Sequence, residues 1–293
     1  MSKLPSLVSA HQANGRYVDL GGVNTFVAEM GKGEPVLCIH GVPSSSFLYR
    51  KVLSELSKKG FRALALDLPG LGLSQRPKEF DYSWTGLGKW LSEATEALGL
   101  KRFHLVVHDI GGPVGFELVA NHPERIASLT ILNTLLVGVG SFQKPWVMRP
   151  FEVRGLGELY VATLIPPALR ILMYLQGVEN RTAFGLAEAQ AYVHLLKRED
   201  RGRAFLKIMR HFEPTPAKED LYRNAVAQLE VPKQVIWGEF DPALTPEAYG
   251  YPIRDQLGID RFHLLPGKHF LQEDQAPALA RLIAEMLATP TAK

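Results

Sequence analysis

Phe103-His104-Leu105-Val106-Val107-His108-Asp109-Ile110-Gly111-Gly112 is the stretch on which the fold turns. Phe103–Val107 is an apolar run of strand length, and Gly111–Asn121 is helical in pattern and stopped by His122-Pro123. Between them stands one aspartate with glycines close behind it. A strand that enters a helix through so sharp a turn needs small residues around the turn, and it exposes one side chain at the strand end. An aspartate that merely caps an ordinary helix is the plainer reading of Asp109.

The pattern repeats outward from this stretch. Tyr17–Leu20 and Val23–Met30 flank Gly21-Gly22 and are predicted as a hairpin. Pro35–Ile39, Phe61–Leu66 and Ile126–Leu132 are further apolar strands. Ser45–Lys58, closed by Gly60, and Trp84–Leu98, closed by Gly99, have helical spacing. Continuous apolar strands between helices predict a parallel sheet covered on both faces. From about Leu135 to Leu229 the rhythm breaks into helical patterns with aromatics and prolines: Leu159–Leu164, Ala168–Leu175, Ala187–Leu196 and Phe205–Phe212. It returns with Gln234–Trp237, Pro246–Leu257, Phe262–Leu265 and Ala276–Leu287. The expected organisation is a core of residues 1–134 and 230–293 interrupted by a helical domain of residues 135–229.

Composition narrows the function. The 293 residues are 46% hydrophobic and 22% charged, ordinary values for a globular chain. Lys+Arg 33 against Asp+Glu 30 gives +3 without a run of like charge, so no nucleic-acid or membrane partner is expected. Cys38 lies in an apolar run, as an inert buried thiol does. The N-terminus lacks the apolar core of a signal peptide, and Leu156–Leu175 is interrupted by Glu158, Pro166-Pro167 and Arg170. A soluble cytoplasmic protein, monomer or homodimer, is expected. No dinucleotide fingerprint or metal-ligand spacing is present, and no cofactor is expected.

In an open α/β sheet, ligands bind beyond the carboxyl ends of the strands. Four such ends are polar or glycine-rich: His40-Gly41-Val42-Pro43, His108-Asp109-Ile110-Gly111, Gly238-Glu239-Phe240-Asp241 and Gly267-Lys268-His269-Phe270. Asp109, Asp241 and His269 follow in the chain order nucleophile, acid, base. The backbone N–H groups of Ile110 and Val42 are candidates for an oxyanion hole. Glu239 competes with Asp241 for the acid, whereas Asn133 carries no charge. His40 and His263 are expected to be structural, and His108 to point away from the pocket.

These pieces, with Asp67-Leu68-Pro69-Gly70-Leu71-Gly72-Leu73-Ser74 and Trp237-Gly238-Glu239-Phe240-Asp241, resemble the α/β-hydrolase superfamily in its branch of epoxide hydrolases and haloalkane dehalogenases. The resemblance implies an α/β-hydrolase fold, with a mostly parallel eight-stranded sheet and an inserted helical cap. An aspartate nucleophile suits an electrophilic sp³ carbon, because the alkyl ester it forms can be hydrolysed by water that His269 activates. Asp241 would orient His269. A small apolar epoxide or halide is the implied substrate, and some relatives with this nucleophile act on strained lactones.

Haloalkane dehalogenases carry a tryptophan after the nucleophile, and part of that family an asparagine after His-Gly. Here Ile110 and Val42 stand there. Fluoroacetate dehalogenases carry an arginine where Ile110 stands. Epoxide hydrolases use two cap tyrosines, or a histidine and a tyrosine, as proton donors. Tyr160 and His211 stand near the corresponding spacings from Asp109 and Asp241, with the types swapped. Tyr174, Tyr192, His194 and Tyr222 are alternatives. The expected activity is conversion of an epoxide to a vicinal diol. A haloalkane dehalogenase and a non-catalytic ligand-binding homologue are the alternatives.

Overall fold

The computed structural model describes residues 4–288. After a short helix α1 (Ser6–Ala13), β1 (Gly15–Leu20) and β2 (Val23–Met30) form the expected hairpin. Then follow β3 (Pro35–Ile39), α2 (Arg50–Lys58), β4 (Arg62–Leu66), α3 (Trp84–Ala97), β5 (Phe103–Asp109), α4 (Gly111–Asn121) and β6 (Ile126–Thr134). The inserted segment carries α5 (Leu156–Thr163), α6 (Pro166–Leu172), α7 (Leu186–Lys197), α8 (Arg203–Arg210) and α9 (Pro216–Gln228). The chain ends through β7 (Lys233–Gly238), α10 (Tyr251–Leu257), β8 (Phe262–Leu265), α11 (Leu271–Asp274) and α12 (Ala276–Ala288).

The eight strands form one sheet in the order β1-β2-β4-β3-β5-β6-β7-β8, an α/β-hydrolase fold. β2 is antiparallel to β1 and β4; the remaining pairs are parallel. The chain places β4 on one side of β3 and β5 on the other, so the winding reverses between β3 and β5. Their carboxyl ends, Ile39 and Asp109, open the crevice in which such sheets bind ligands.

The two-residue period of the strands feeds two cores. Leu37, Ile39, Leu105, Val107 and Ile131 face a cluster shared with α3 and α4. Val36, Cys38, Val106 and Ile236 face a second cluster with α2 and α12. α3 shows why a helix forms: the Ser83 side chain accepts the Gly86 N–H at 3.0 Å, and Leu87, Trp90, Leu91 and Ala94 recur on one buried face. The Trp90 indole N–H reaches the Leu20 carbonyl at 2.9 Å and ties α3 to the hairpin.

The structure redraws several elements. Ser45 caps a 3₁₀ turn (Ser46–Tyr49), so α2 starts only at Arg50. Pro246–Gly250 is a π-wound turn ahead of α10; Pro252, without an N–H, interrupts the ladder there. α9 was absent from the sequence reading, although Thr215-Pro216 is a strong start signal: the Thr215 hydroxyl accepts the Lys218 N–H at 3.2 Å.

Among the described residues, the segment between β6 and β7 adds helices and no strand. Its last helix packs against α4 of the core: the Tyr222 ring lies 5.8 Å from Phe116, and its hydroxyl donates to Glu117 at 2.7 Å. A boundary at residue 229 therefore counts with the insertion a helix whose packing is with the core. α5 and α6 carry large apolar side chains outward, Leu159 at 61% and Ile171 at 58% exposure. No single helix among the described residues is long and apolar enough to cross a membrane; α5 with Pro166–Gly177 reaches the length only as a pair bent by 102°.

Candidate active site

Asp109 ends β5 with φ at 52°, the left-handed region that a non-glycine residue occupies at a cost of about 1–3 kcal/mol. Its neighbours make the turn possible. A Cβ at Gly112 would collide with the Thr134 hydroxyl, and one at Gly41 with the Asp109 carboxylate. The Thr134 hydroxyl donates to the Asp109 carbonyl and holds the elbow against the end of β6. The alternative reading of Asp109 as a plain helix cap does not fit: α4 has no side-chain cap, and the carboxylate turns into a cavity.

Two strand-end loops meet at that carboxylate. The Val42 N–H donates to Asp109 Oδ1 at 2.6 Å, just before the cis Val42-Pro43 bond. His269 Nε2 lies 3.5 Å from the other oxygen, Oδ2. His269 Nδ1 donates to Asp241 Oδ2 at 2.7 Å. Asp241 is 2% exposed; its Oδ1 accepts the N–H groups of Ala243 (2.8 Å) and Leu244 (2.9 Å), and its Oδ2 also accepts Asn133 Nδ2 at 2.7 Å. The Trp237 indole donates to the Leu244 carbonyl at 2.7 Å and fixes the same loop from below. Glu239 is exposed and takes no part in this line.

The electrostatics follow from these contacts. Burial pushes the Asp109 carboxyl up, but the hydrogen bond and charge of His269, helped by the Ile110 amide, bring it below its ordinary value. Asp241 is likewise lowered: burial opposes, and the His269 charge with the loop N–H groups prevails. For His269, burial disfavours the charged form, yet Asp241 and then Asp109 raise it to about 10. The resting pair is therefore a carboxylate facing an imidazolium. Replacing Asp109 with asparagine removes one anion, so the His269 pKa should fall. An imidazole NMR titration that stayed unchanged in Asp109→Asn would contradict this coupling.

The other histidines brace the site. His40 is fully buried and takes the Leu68 N–H on Nε2 at 3.0 Å, so Nδ1–H donates to the Gly41 carbonyl at 2.8 Å. Burial lowers its pKa and keeps it neutral. His108 points away from the cavity, but it is not remote. Its ring lies 4.7 Å from that of His269, and its Nε2 donates to the His269 carbonyl at 2.8 Å. Burial takes it down to about 3, so it packs beside the imidazolium without adding charge.

Above the carboxylate lies a cavity of about 140 Å³. Asp109, Ile110, Val42 and His269 form its floor; Met148, Phe151, Leu164, Phe205 and Phe212 are among its apolar walls. Tyr160 lines it from α5, with its ring 5.1 Å from Phe151. His211 does not. It is exposed at the end of α8, and its Nδ1 lies 2.6 Å from the Lys207 carbonyl. α8 ends at Arg210 and His211 leaves helical geometry with φ at -115°, so the apolar neighbour Phe212, beyond the helix, lines the cavity in its place. Tyr174, Tyr192 and Tyr222 spend their hydroxyls on Phe184, Glu273 and Glu117, and neither they nor His194 line the cavity. Trp146 is 76% exposed, whereas Met148 and Met173 reach the cavity. Sequence reasoning missed Thr134, the bonding of Asn133 to Asp241, and Gln176, which with Tyr160 makes up the polar side chains that the insertion puts on the cavity among the described residues.

Such an arrangement can hold a carboxylate nucleophile, a base, a group orienting that base, and backbone donors for an oxyanion in an apolar chamber. The comparisons agree with the architecture. A haloalkane dehalogenase from Psychrobacter cryohalolentis is 28% identical over 87% of this chain and 83% of its own. Haloalkane dehalogenase 2 from Mycobacterium bovis is 27% identical over 92% of this chain and 93% of its own. The crystal structure of an epoxide hydrolase from Vigna radiata superposes with a TM-score of 0.76 at 21% identity, covering 93% of this chain and 97% of that one. The family profile described as alpha/beta hydrolase fold matches residues 34–276, and the chain belongs to that family, as a hydrolase.

Proposed function

We propose that this hydrolase opens a small apolar epoxide to a vicinal diol through an ester on Asp109, with residues 135–229 acting as its cap. Asp109 Oδ2 attacks the epoxide carbon; the C–O bond of the ring breaks, and its electrons pass to the ring oxygen. Tyr160 protonates that oxygen. Esterification removes Asp109, the second after Asp241 of the two anions that raised the His269 pKa, so the imidazolium can pass its proton through the new hydroxyl group to the Tyr160 phenolate and become a base. Water then attacks the Asp109 carboxyl carbon and gives its proton to His269 Nε2. The oxyanion develops on Oδ1, where the Val42 N–H already lies at 2.6 Å. Collapse breaks the bond from the carboxyl carbon to Oδ2; the departing alkoxide takes the second water proton from the new Asp109 carboxyl group and leaves as the diol, which restores the carboxylate beside a protonated His269.

The observation that carries this reading is Tyr160. Its phenol lines the cavity of Asp109 and His269, and a ring oxygen needs a proton donor where a departing halide needs none. Ile110, in turn, has no side-chain N–H for a halide. Tyr160→Phe should slow formation of the ester about 10²-fold. His211→Phe should leave it unchanged. Equal ester-formation rates for wild type and Tyr160→Phe would count against the tyrosine.

Haloalkane dehalogenation is the second reading, favoured by the names of the relatives at 27–28% identity. Incubation with styrene oxide and with 1-bromobutane, read for diol and for bromide, separates the two. Turnover of neither across a broad panel of both classes would favour a silent ligand-binding member of the fold.

A further inference from the structure

Besides Asp109, His269 and Tyr160, one side chain among the described residues with a strong hydrogen-bonding group lines the cavity: Gln176. It belongs to a π-wound turn, Met173–Gly177, that extends α6. Such turns project a side chain off the register of the helix before them. The Val178 N–H closes the turn on the Met173 carbonyl at 2.8 Å. Gln176 is half-buried, and among the described residues no protein group bonds to its amide.

The turn is fastened to the loop that carries the base. The Phe270 N–H donates to the Gly177 carbonyl at 2.8 Å, and Lys268 Nζ donates to the Tyr174 carbonyl at 2.7 Å. Lys268 also pairs with Glu179 at 3.2 Å. A Cβ at Gly177 would stand 2.8 Å from the Met173 methyl and 3.0 Å from the Phe270 ring, so this close approach depends on glycine. The residues on either side of His269 thus hold the backbone on either side of Gln176.

We infer that Gln176 is the second cap-side donor of the site: its side-chain N–H binds the oxygen that Tyr160 protonates. The inference deepens the epoxide reading and rests on it for the identity of that oxygen. A carboxamide is a far weaker acid than a phenol, so it contributes a hydrogen bond while the phenol supplies the proton. In an apolar chamber a lone donor counts for more than in water. The residue therefore favours substrates that present an uncharged oxygen acceptor at the cap side over hydrocarbons of equal shape.

The test uses the full chain as wild type, Gln176→Leu and Gln176→Glu. Cyclohexene oxide is the reactive probe; cyclohexanone and methylcyclohexane are unreactive probes of similar shape with and without the oxygen. Ligand-observed NMR should show Gln176→Leu binding cyclohexanone about tenfold more weakly, with methylcyclohexane unaffected. Single-turnover ester formation on cyclohexene oxide should slow about tenfold, while hydrolysis of the ester keeps its rate. Gln176→Glu replaces the N–H donor with an anion and should lose ketone binding as Gln176→Leu does, which separates donation from mere filling of space. Ketone affinity and ester formation equal to wild type in Gln176→Leu would overturn the assignment. Ketone binding that depends on Gln176 in a wild type that forms no diol would instead overturn the epoxide reading and keep the donor.

Discussion

The His269→Gln variant should accept one substrate-derived group on Asp109 and keep it. Alkylation uses Asp109 Oδ2 and the cap donors and needs no base, whereas release needs water activated at His269 Nε2, 3.5 Å from that oxygen in the resting enzyme. Ester hydrolysis should fall about 10²–10⁴-fold, the usual worth of a positioned general base. Glutamine also removes the imidazolium that lowers the Asp109 pKa, so alkylation itself should slow modestly. Intact-protein mass spectrometry should find one adduct per chain, and peptide mapping should locate it at Asp109. Unmodified protein, after incubation with an epoxide the wild type turns over, would end the ester mechanism.

Asp241→Asn should be nearly as damaging. The asparagine would point an N–H or a neutral oxygen at His269 Nδ1, and the loop N–H groups of Ala243 and Leu244, with Asn133 Nδ2, would lose their anion. Where an aspartate orients a catalytic histidine, this change costs about 10⁴ in kcat by favouring the wrong tautomer. The structure offers a check that a purely structural role would not meet. Asn133 Nδ2 and His269 Nδ1 both reach Asp241 Oδ2 at 2.7 Å, so a carboxylate at position 133 lies beside the same imidazole. Adding Asn133→Asp to Asp241→Asn should recover part of kcat. Wild-type kcat in the single variant would remove Asp241 from the mechanism.

Both predictions come from residues legible in the chain. Asp109 stood out because a sharp turn demands small residues on its far side, and Gly111 and Gly112 stand within three residues of it; the group for which Gly112 leaves room, the Thr134 hydroxyl, comes from the end of β6. Asp241 and His269 stood out because each follows an apolar strand, and strand ends in a parallel sheet converge on one side. Glu239 lay only two residues from Asp241 and was as plausible by type. It is exposed as the second residue of the turn in which the Asp241 N–H bonds to the Gly238 carbonyl at 3.2 Å. The helical insertion was visible as a loss of strand rhythm, but the start of α9 was not read, and its docking on α4 involves tertiary contacts such as Tyr222 with Glu117.

The inserted helices show where sequence spacing stops being informative. His211 had a suitable distance along the chain to Asp241, yet its ring turns back to Lys207 and Phe212 faces the cavity. Gln176 carried no motif. Its direction depends on a π-wound turn and on hydrogen bonds with Lys268 and Phe270, almost a hundred residues away. By itself the sequence determined the sheet, the elbow and the order of the three charged groups, because backbone sterics and hydrophobic period act over a few residues. Only the tertiary structure decided which side chains of the insertion line the cavity over the Asp109 carboxylate. The places where helices end, the loop latches and the distribution of apolar surface are settled by packing between distant segments, and one residue beyond the end of α8 is enough to put Phe212 on the cavity where His211 is not.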